Sequence, residues 1–460
     1  MKKKMNRRQL LVGSGAMAGM ASFGGIPLMN QVAQASSLYR DDRHFVFCYF
    51  PGGWDILLAL DPRDPTFFTE ANYGETGINL EYGRQSYGIG SELITTDSNG
   101  QPLQNGLVFG PAIGSIRDHS DCVAVVNGMS MDTLGHNTGM RFFNTGRAPN
   151  GLNANGSSMG TWLAGLLGEH NSLPNLVFRK ETYNTDWDAW ASGIRVASVS
   201  DLVSTLQPGD HPLSIEEEEQ IDAFLREFES RPVSERSAIL RNAASGRRNS
   251  QYLLDYDVSS LFDLTSNAPN IVALRDAFNV DPNDLAAGEA QMAATFIALT
   301  SGLSRCVSLV PCGGLDTHLD NWRGHGATLK AGFDLVASLI QQLKGLEYLD
   351  TGESWLEHTT ILCYSEFSRT PWLNATGGRD HWLANSCLLA GAGIKPGIYG
   401  NSTSYGLNPF EMDLLTGEGD ADAGEIVRPQ QILRTLMSIA GVEEDLSRLR
   451  VDPITAMLST

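Results

Sequence analysis

No two of the six cysteines form a CxxC pair: Cys48, Cys122, Cys306, Cys312, Cys363 and Cys387 are widely spaced, mostly inside apolar runs. That spacing argues against a cysteine-zinc cluster and for small buried hydrophobes. An exported compartment would permit disulfides without demanding them. Positive charge is also short, with 33 Lys and Arg against 53 Asp and Glu and a net charge of -20. A nucleic-acid partner needs a basic surface to neutralise phosphates, so no such partner is expected. Beyond Leu28 no apolar run approaches the roughly 20 residues of a membrane span, so no transmembrane segment is expected in the mature chain. Internal repeats and long low-complexity tracts are missing as well.

What is present starts with an export signal. Lys2-Lys3-Lys4 is a basic stretch, Leu10 to Leu28 is apolar and rich in Gly, Ala and Met, and Ala33-Gln34-Ala35 is a small-residue exit. Gly13, Gly15, Gly19, Gly24, Gly25 and Pro27 make the apolar part a poor anchor, so residues 1–35 read as a cleaved leader. Arg7-Arg8 before Gln9-Leu10-Leu11 is the address of the twin-arginine (Tat) route, which carries folded proteins. A periplasmic or secreted protein follows, able to acquire a cofactor before export. No cysteine follows Ala35 at once, so nothing supports a lipoprotein.

Short apolar runs at His44 to Phe50, Cys122 to Val126, Leu176 to Phe178, Cys306 to Val310, Thr359 to Tyr364 and Ser386 to Leu389 predict buried strands. Their lack of polar alternation, with helical patterns between them, predicts an α/β fold with a mostly parallel sheet covered on both faces. Residues 36–460 form the expected domain. Within it, Leu202 to about Leu303 predicts a helical insertion, with amphipathic stretches at Ile215 to Leu225, Ser234 to Ala244, Gln251 to Leu264 and Leu285 to Leu299. The acidic run Glu216 to Glu219 lies just inside a helix start, where it favours the dipole and reads as a solvated face.

In such sheets chemistry gathers at the carboxyl ends of the strands. Pro51-Gly52-Gly53-Trp54-Asp55 leaves Asp55 at one strand exit, as a ligand or as an acceptor for turn amides. Gly313-Gly314-Leu315-Asp316-Thr317-His318 follows another strand, and Asp316 and His318, two apart, point the same way in extended chain. Ser365-Glu366-Phe367-Ser368-Arg369-Thr370 offers Glu366 as metal ligand or general base and Arg369 as an oxyanion grip, or simply a salt bridge between the two. Gly377-Gly378-Arg379-Asp380-His381-Trp382 adds Asp380 and His381 on a glycine turn. The predicted metal set is therefore Asp55, Asp316, His318, Glu366, Asp380 and His381. A further segment from Gly135 to Gly146 opens a helix with His136, Thr138 and Arg141, either a helix cap or a site where free amides favour an anion or a nucleophile.

With these blocks in this order, the sequence resembles the bacterial family called domain of unknown function 1501, whose members resemble sulfatases and alkaline phosphatases in fold. The resemblance covers nearly all of the mature chain. It implies an alkaline-phosphatase-like three-layer α/β/α sandwich in which one or two divalent ions, zinc, manganese or calcium, hold a phosphate or sulfate ester at the sheet's carboxyl edge. Asp55 would match the first-strand ligand of that superfamily, Asp316 and His318 its middle pair, Glu366 its later acidic ligand, and His381 its final histidine with Asp380 beside it. His136 stands near the position where sulfatases carry a modifiable cysteine, and no Cys-x-Pro-x-Arg motif is present, which disfavours a formylglycine enzyme. Thr138 would then supply the hydroxyl nucleophile, or His136 would ligate metal while water attacks. Arg141 or Arg369 would neutralise the ester oxyanion. The expectation is an exported metal-dependent hydrolase acting on a small-molecule ester; the alternative is a non-catalytic binding or assembly protein on the same scaffold.

Overall fold

A computed structural model describes residues 42–459, apart from 83–88, 208–213, 233–236, 238–239, 241–242, 245, 248–249, 251, 254–255 and 322–323. The expected leader at 1–35 lies outside the described residues, as does much of the helix expected at Ser234 to Ala244.

Every residue of the first strand, β1 (His44–Tyr49), is buried, so its side chains divide by the two-residue period of extended chain and not by polarity. Val46 and Cys48 enter one core, while Phe45, Phe47 and Tyr49 enter another on the opposite face. β2 (Val123–Ser130), β3 (Asn175–Phe178), β4 (Ile194–Val196), β5 (Cys306–Leu309) and β6 (Thr359–Tyr364) follow it in the chain. A two-stranded ribbon of β7 (Ser368–Arg369) and β8 (His381–Trp382) comes next, then β9 (Ala384–Gly391) and β10 (Gly397–Tyr399). The eight-stranded sheet has the order β10-β2-β9-β6-β1-β5-β3-β4. All neighbours are parallel except β9, which is antiparallel to both β2 and β6. The reversal has a simple cause. The chain leaves β6 at the carboxyl edge, builds the β7–β8 ribbon there, and re-enters the sheet from the same edge without a crossover.

Helices cover both faces. α1 (His136–Thr145), α2 (Met159–Leu167) and, near the end of the chain, a helix over Pro429–Ile439 pack Phe143, Leu163 and Leu436 into the core that holds Phe47. α3 (Val199–Leu206), an outer helix α4 (Ile215–Glu229), α5 (Pro269–Phe278), α6 (Gly288–Thr300) and α7 (His325–Lys344) lie in sequence between and after the central strands. Leu202, Leu274, Ile297 and Phe333, from α3, α5, α6 and α7, pack into the core that holds Val46. The result is an α/β/α arrangement in three layers around a mostly parallel sheet. No helix among the described residues is long and apolar enough to cross a membrane.

The expected strands are present, and within the eight-stranded sheet β4 and β10 are additions. Each is a three-residue edge strand, with Arg195 and Ile398 exposed, too short to print an apolar run in the sequence. The expected helix at Gln251 to Leu264 is corrected: Asp257 turns left-handed at φ 47° and a short 3-10 segment, Val258–Phe262, follows. A left-handed residue breaks the α-helical hydrogen-bond ladder at that point.

Candidate metal centre

The turn after β1 lies directly on the loop after β5. Gly52 has φ +111°, and a Cβ placed on it would stand 2.5 Å from the Asp316 amide nitrogen, so only glycine permits this approach. Its amide donates to Glu366 Oε1 at 2.8 Å. α1 closes from the other side: a Cβ on Gly139 would run into the Glu366 carbonyl. Exits of β1, β2, β5 and β6 are thereby pressed together at one edge of the sheet.

Three imidazoles meet there, and each has its Nδ1 engaged by an acceptor. His136 Nδ1 is 2.7 Å from Glu366 Oε1, His318 Nδ1 is 2.7 Å from Asp380 Oδ1, and His381 Nδ1 is 2.6 Å from the Leu134 carbonyl. A carbonyl oxygen and an ionised carboxylate can only accept, so each Nδ1 carries a proton, and in the neutral ring each Nε2 presents a lone pair. Those lone pairs converge on Asp316. His136 Nε2 lies 3.4 Å from its Oδ2, while His318 Nε2 and His381 Nε2 lie 3.1 and 3.5 Å from its Oδ1. His318 Nε2 and His381 Nε2 are themselves 2.9 Å apart. Two bare lone pairs repel at that distance unless a cation or a proton stands between them.

Ligand atoms of His136, Asp316 and His381 all lie within 4.8 Å of one another, so this cluster could hold a metal ion. Tetrahedral zinc with ligands at about 2.1 Å would set them about 3.4 Å apart, close to the separations around Asp316. Arg369, fully buried, donates to Asp316 Oδ1 at 2.7 Å and to the carbonyls of Gly52, Gly53 and Arg379. Burial pushes the Asp316 carboxyl up, but the Arg369 hydrogen bond and the charges of His136, Arg369 and His318 outweigh it and bring it down to about 2. The hydrogen bond to Glu366 raises the His136 imidazole, whereas burial lowers His381.

The remaining expected residues have different surroundings. Glu366 is 1% exposed and its carboxylate is taken by His136, the Gly52 amide and the Ser365 hydroxyl; it stands behind His136. Asp380 stands behind His318 in the same way and also accepts from Asn374 Nδ2 at 3.2 Å. Asp55 is not brought into the cluster. It is 0% exposed, caps the short 3-10 helix Ile56–Leu58 through Leu57 N at 3.1 Å, and faces Arg379 Nε at 3.3 Å. Burial holds its carboxyl up against the pull of the Arg379 charge. Arg141 is committed to Glu181, Tyr183 and the Leu152 carbonyl. Thr138 is half-buried in the first turn of α1, its hydroxyl near Gly135.

Sequence reasoning did not anticipate the Leu134 carbonyl or the network under the Asp316-Thr317-His318 turn. There, buried His325 Nε2 accepts the Asp55 amide at 2.9 Å, its Nδ1 meets Thr317 Oγ1 at 2.8 Å, and Thr317 also bonds Asn321. Burial brings the His325 pKa down to about 3, consistent with a neutral ring that accepts on one side and donates on the other. A backbone acceptor has no signature in side-chain chemistry.

Comparison with known proteins adds the family. No curated protein matches the chain. A solved structure titled "Crystal structure of Ps i-CgsB" is similar at 9% identity over 89% of this chain and 74% of that one, with a TM-score of 0.37, a likeness that carries no argument about chemistry. The family model described as "Protein of unknown function (DUF1501)" matches residues 42–418, a span that includes every residue from Asp55 to His381 named above, and the chain belongs to that family.

Proposed function

We propose that the chain is an exported, metal-dependent hydrolase of phosphate or sulfate esters, with a divalent ion held by His136, Asp316, His318 and His381. One observation carries this: three histidines with occupied Nδ1 atoms turn their Nε2 atoms on one carboxylate. Outer acceptors of this kind fix the tautomer of metal-binding histidines and raise their basicity. Three nitrogens and one oxygen suit zinc or manganese better than calcium, which takes oxygen ligands. When bound, such an ion supplies Lewis acidity toward an ester oxygen and makes water a stronger acid.

The chain's own residues do the rest. Glu366 and Asp380 hold protons on His136 and His318 Nδ1, Arg369 anchors Asp316 through Oδ1, and Phe367, fully buried against His136 and His381, keeps water from beneath the centre. Protein purified without chelators is expected to carry a transition metal and to turn over an aryl phosphate or an aryl sulfate, with both lost in Asp316→Ala. Absence of metal and turnover, with Asp316→Ala changing nothing, sinks the proposal. Export by the Tat route is part of it and rests on Arg7-Arg8 and the exit at Ala35; replacing both arginines with lysine should retain the chain in the cytoplasm, and undiminished export would count against that part.

A second reading is favoured by one observation: Arg141 and Arg369 are both spent on protein acceptors, leaving neither poised for an oxyanion. In that reading the same centre binds without turnover, in an exported binding or assembly protein. Stoichiometric metal with neither ester hydrolysed supports it, and hydrolysis of either removes it.

A further inference from the structure

Each histidine of the centre has an exposed leucine within two positions. Leu134 precedes His136 and is 46% exposed, Leu319 follows His318 and is 67% exposed, and Leu383 follows His381 and is 41% exposed. Single exposed leucines are ordinary surface. Here three stand on three segments that backbone contacts hold around one site. The Leu134 carbonyl receives the His381 Nδ1 proton at 2.6 Å, the Leu383 carbonyl accepts the Met131 amide at 3.0 Å, and Leu319 bridges to Gly377, just before Asp380 and His381. The fully buried Phe367 ring lies 4.8 Å from that of His136 and 4.3 Å from that of His381, so apolar packing backs the histidines themselves. Charged groups at the same place are engaged inward, Arg369 on Asp316 and Asp380 on His318.

We infer that Leu134, Leu319 and Leu383 form an apolar rim that takes the non-polar chain or ring of an amphiphilic ester whose anionic head lies at the histidine–aspartate centre. The inference rests on the ester reading of that site. Covering leucine surface with alkyl chain strengthens binding by roughly fourfold per buried methylene, so chain length reads the rim directly.

The test uses the full chain loaded with zinc and two probe pairs followed by calorimetry: methyl and octyl phosphate, then acetohydroxamate and octanohydroxamate, which bind metal without being esters. Each octyl probe is expected to bind at least tenfold more tightly than its short partner. That ratio should fall to near one in the triple variant Leu134→Ser, Leu319→Ser, Leu383→Ser. Equal affinity within both pairs, or a ratio the triple variant does not change, overturns the rim. A tail preference among hydroxamates with no phosphate binding keeps the rim and removes the ester reading, so the two fail separately.

Discussion

Glu366 Oε1 and His136 Nδ1 share a hydrogen bond of 2.7 Å although 230 positions separate them. The carboxylate is buried behind the ring, so it acts on the centre through the imidazole. This one contact joins the exit of β6 to the first turn of α1 and decides which nitrogen of His136 faces Asp316.

Glu366→Gln keeps an acceptor for the His136 proton but removes its charge. Metal affinity should fall by about ten- to a hundredfold, the range expected for losing an outer partner of a ligand, with little change in the fold. Competition against a chelating dye measures it. Unaltered affinity would mean that Glu366 does not work through His136.

Acid should strip the metal early. The Glu366 hydrogen bond, helped by the charges of Glu366 and Asp316 and opposed by burial, raises His136 above its ordinary 6.5, and a proton on Nε2 competes with metal. Affinity is therefore expected to begin falling above pH 6.5 as pH drops, by about tenfold per unit for one proton. A fall that begins only well below pH 6.5 contradicts this. In the metal-free chain the same shift stabilises the fold fully below pH 6.5, and that contribution disappears as pH rises through the raised folded value.

Lys180 gives a second pH signature, away from the centre. Its amine is buried, donates to the Tyr364 hydroxyl and lies 4.9 Å from that ring's centroid; burial lowers its pKa from 10.5 to about 7. Below pH 7 both folded and unfolded chains bind the proton and the buried charge destabilises the fold in full. Between about 7 and 10.5 the unfolded chain binds more protons, so stability rises with pH. Lys180→Met should therefore gain stability relative to the parent at pH 6, by about 5 kcal/mol at most, and the gain should shrink by pH 9. Urea titrations at both values decide it; a pH-independent difference argues that the buried amine stays charged.

Asp55→Ala leaves the Arg379 guanidinium buried without its carboxylate, a loss of about 3–5 kcal/mol for a broken buried pair. Metal affinity of the folded fraction should hold within a few-fold. Strong metal loss with unchanged thermal stability would instead make Asp55 a ligand.

Much of the site was legible because strand exits in an α/β sheet share an edge. Apolar runs at β1, β5 and β6 placed Asp55, Asp316 and Glu366 at that edge, and the two-residue spacing aligned Asp316 with His318. The contrast among the acidic groups was not legible. Asp55 and Glu366 both follow buried strands, but one turns inward to Arg379 and the other backs His136, a difference set by glycine turns and contacts hundreds of positions away. Leu134 enters through its carbonyl, which every residue possesses.

Local sequence determined the alternation of strands and helices, the burial of the strands, and the supply of carboxylates and imidazoles at their ends, because periodicity and turn chemistry act over a few residues. Tertiary structure alone decided which of those groups face one another. Hydrogen-bond partners are chosen by distance and angle after the loops after β1, β2, β5 and β6 are packed together, and only then do His136, His318 and His381 each lose Nδ1 to an acceptor and turn Nε2 toward Asp316.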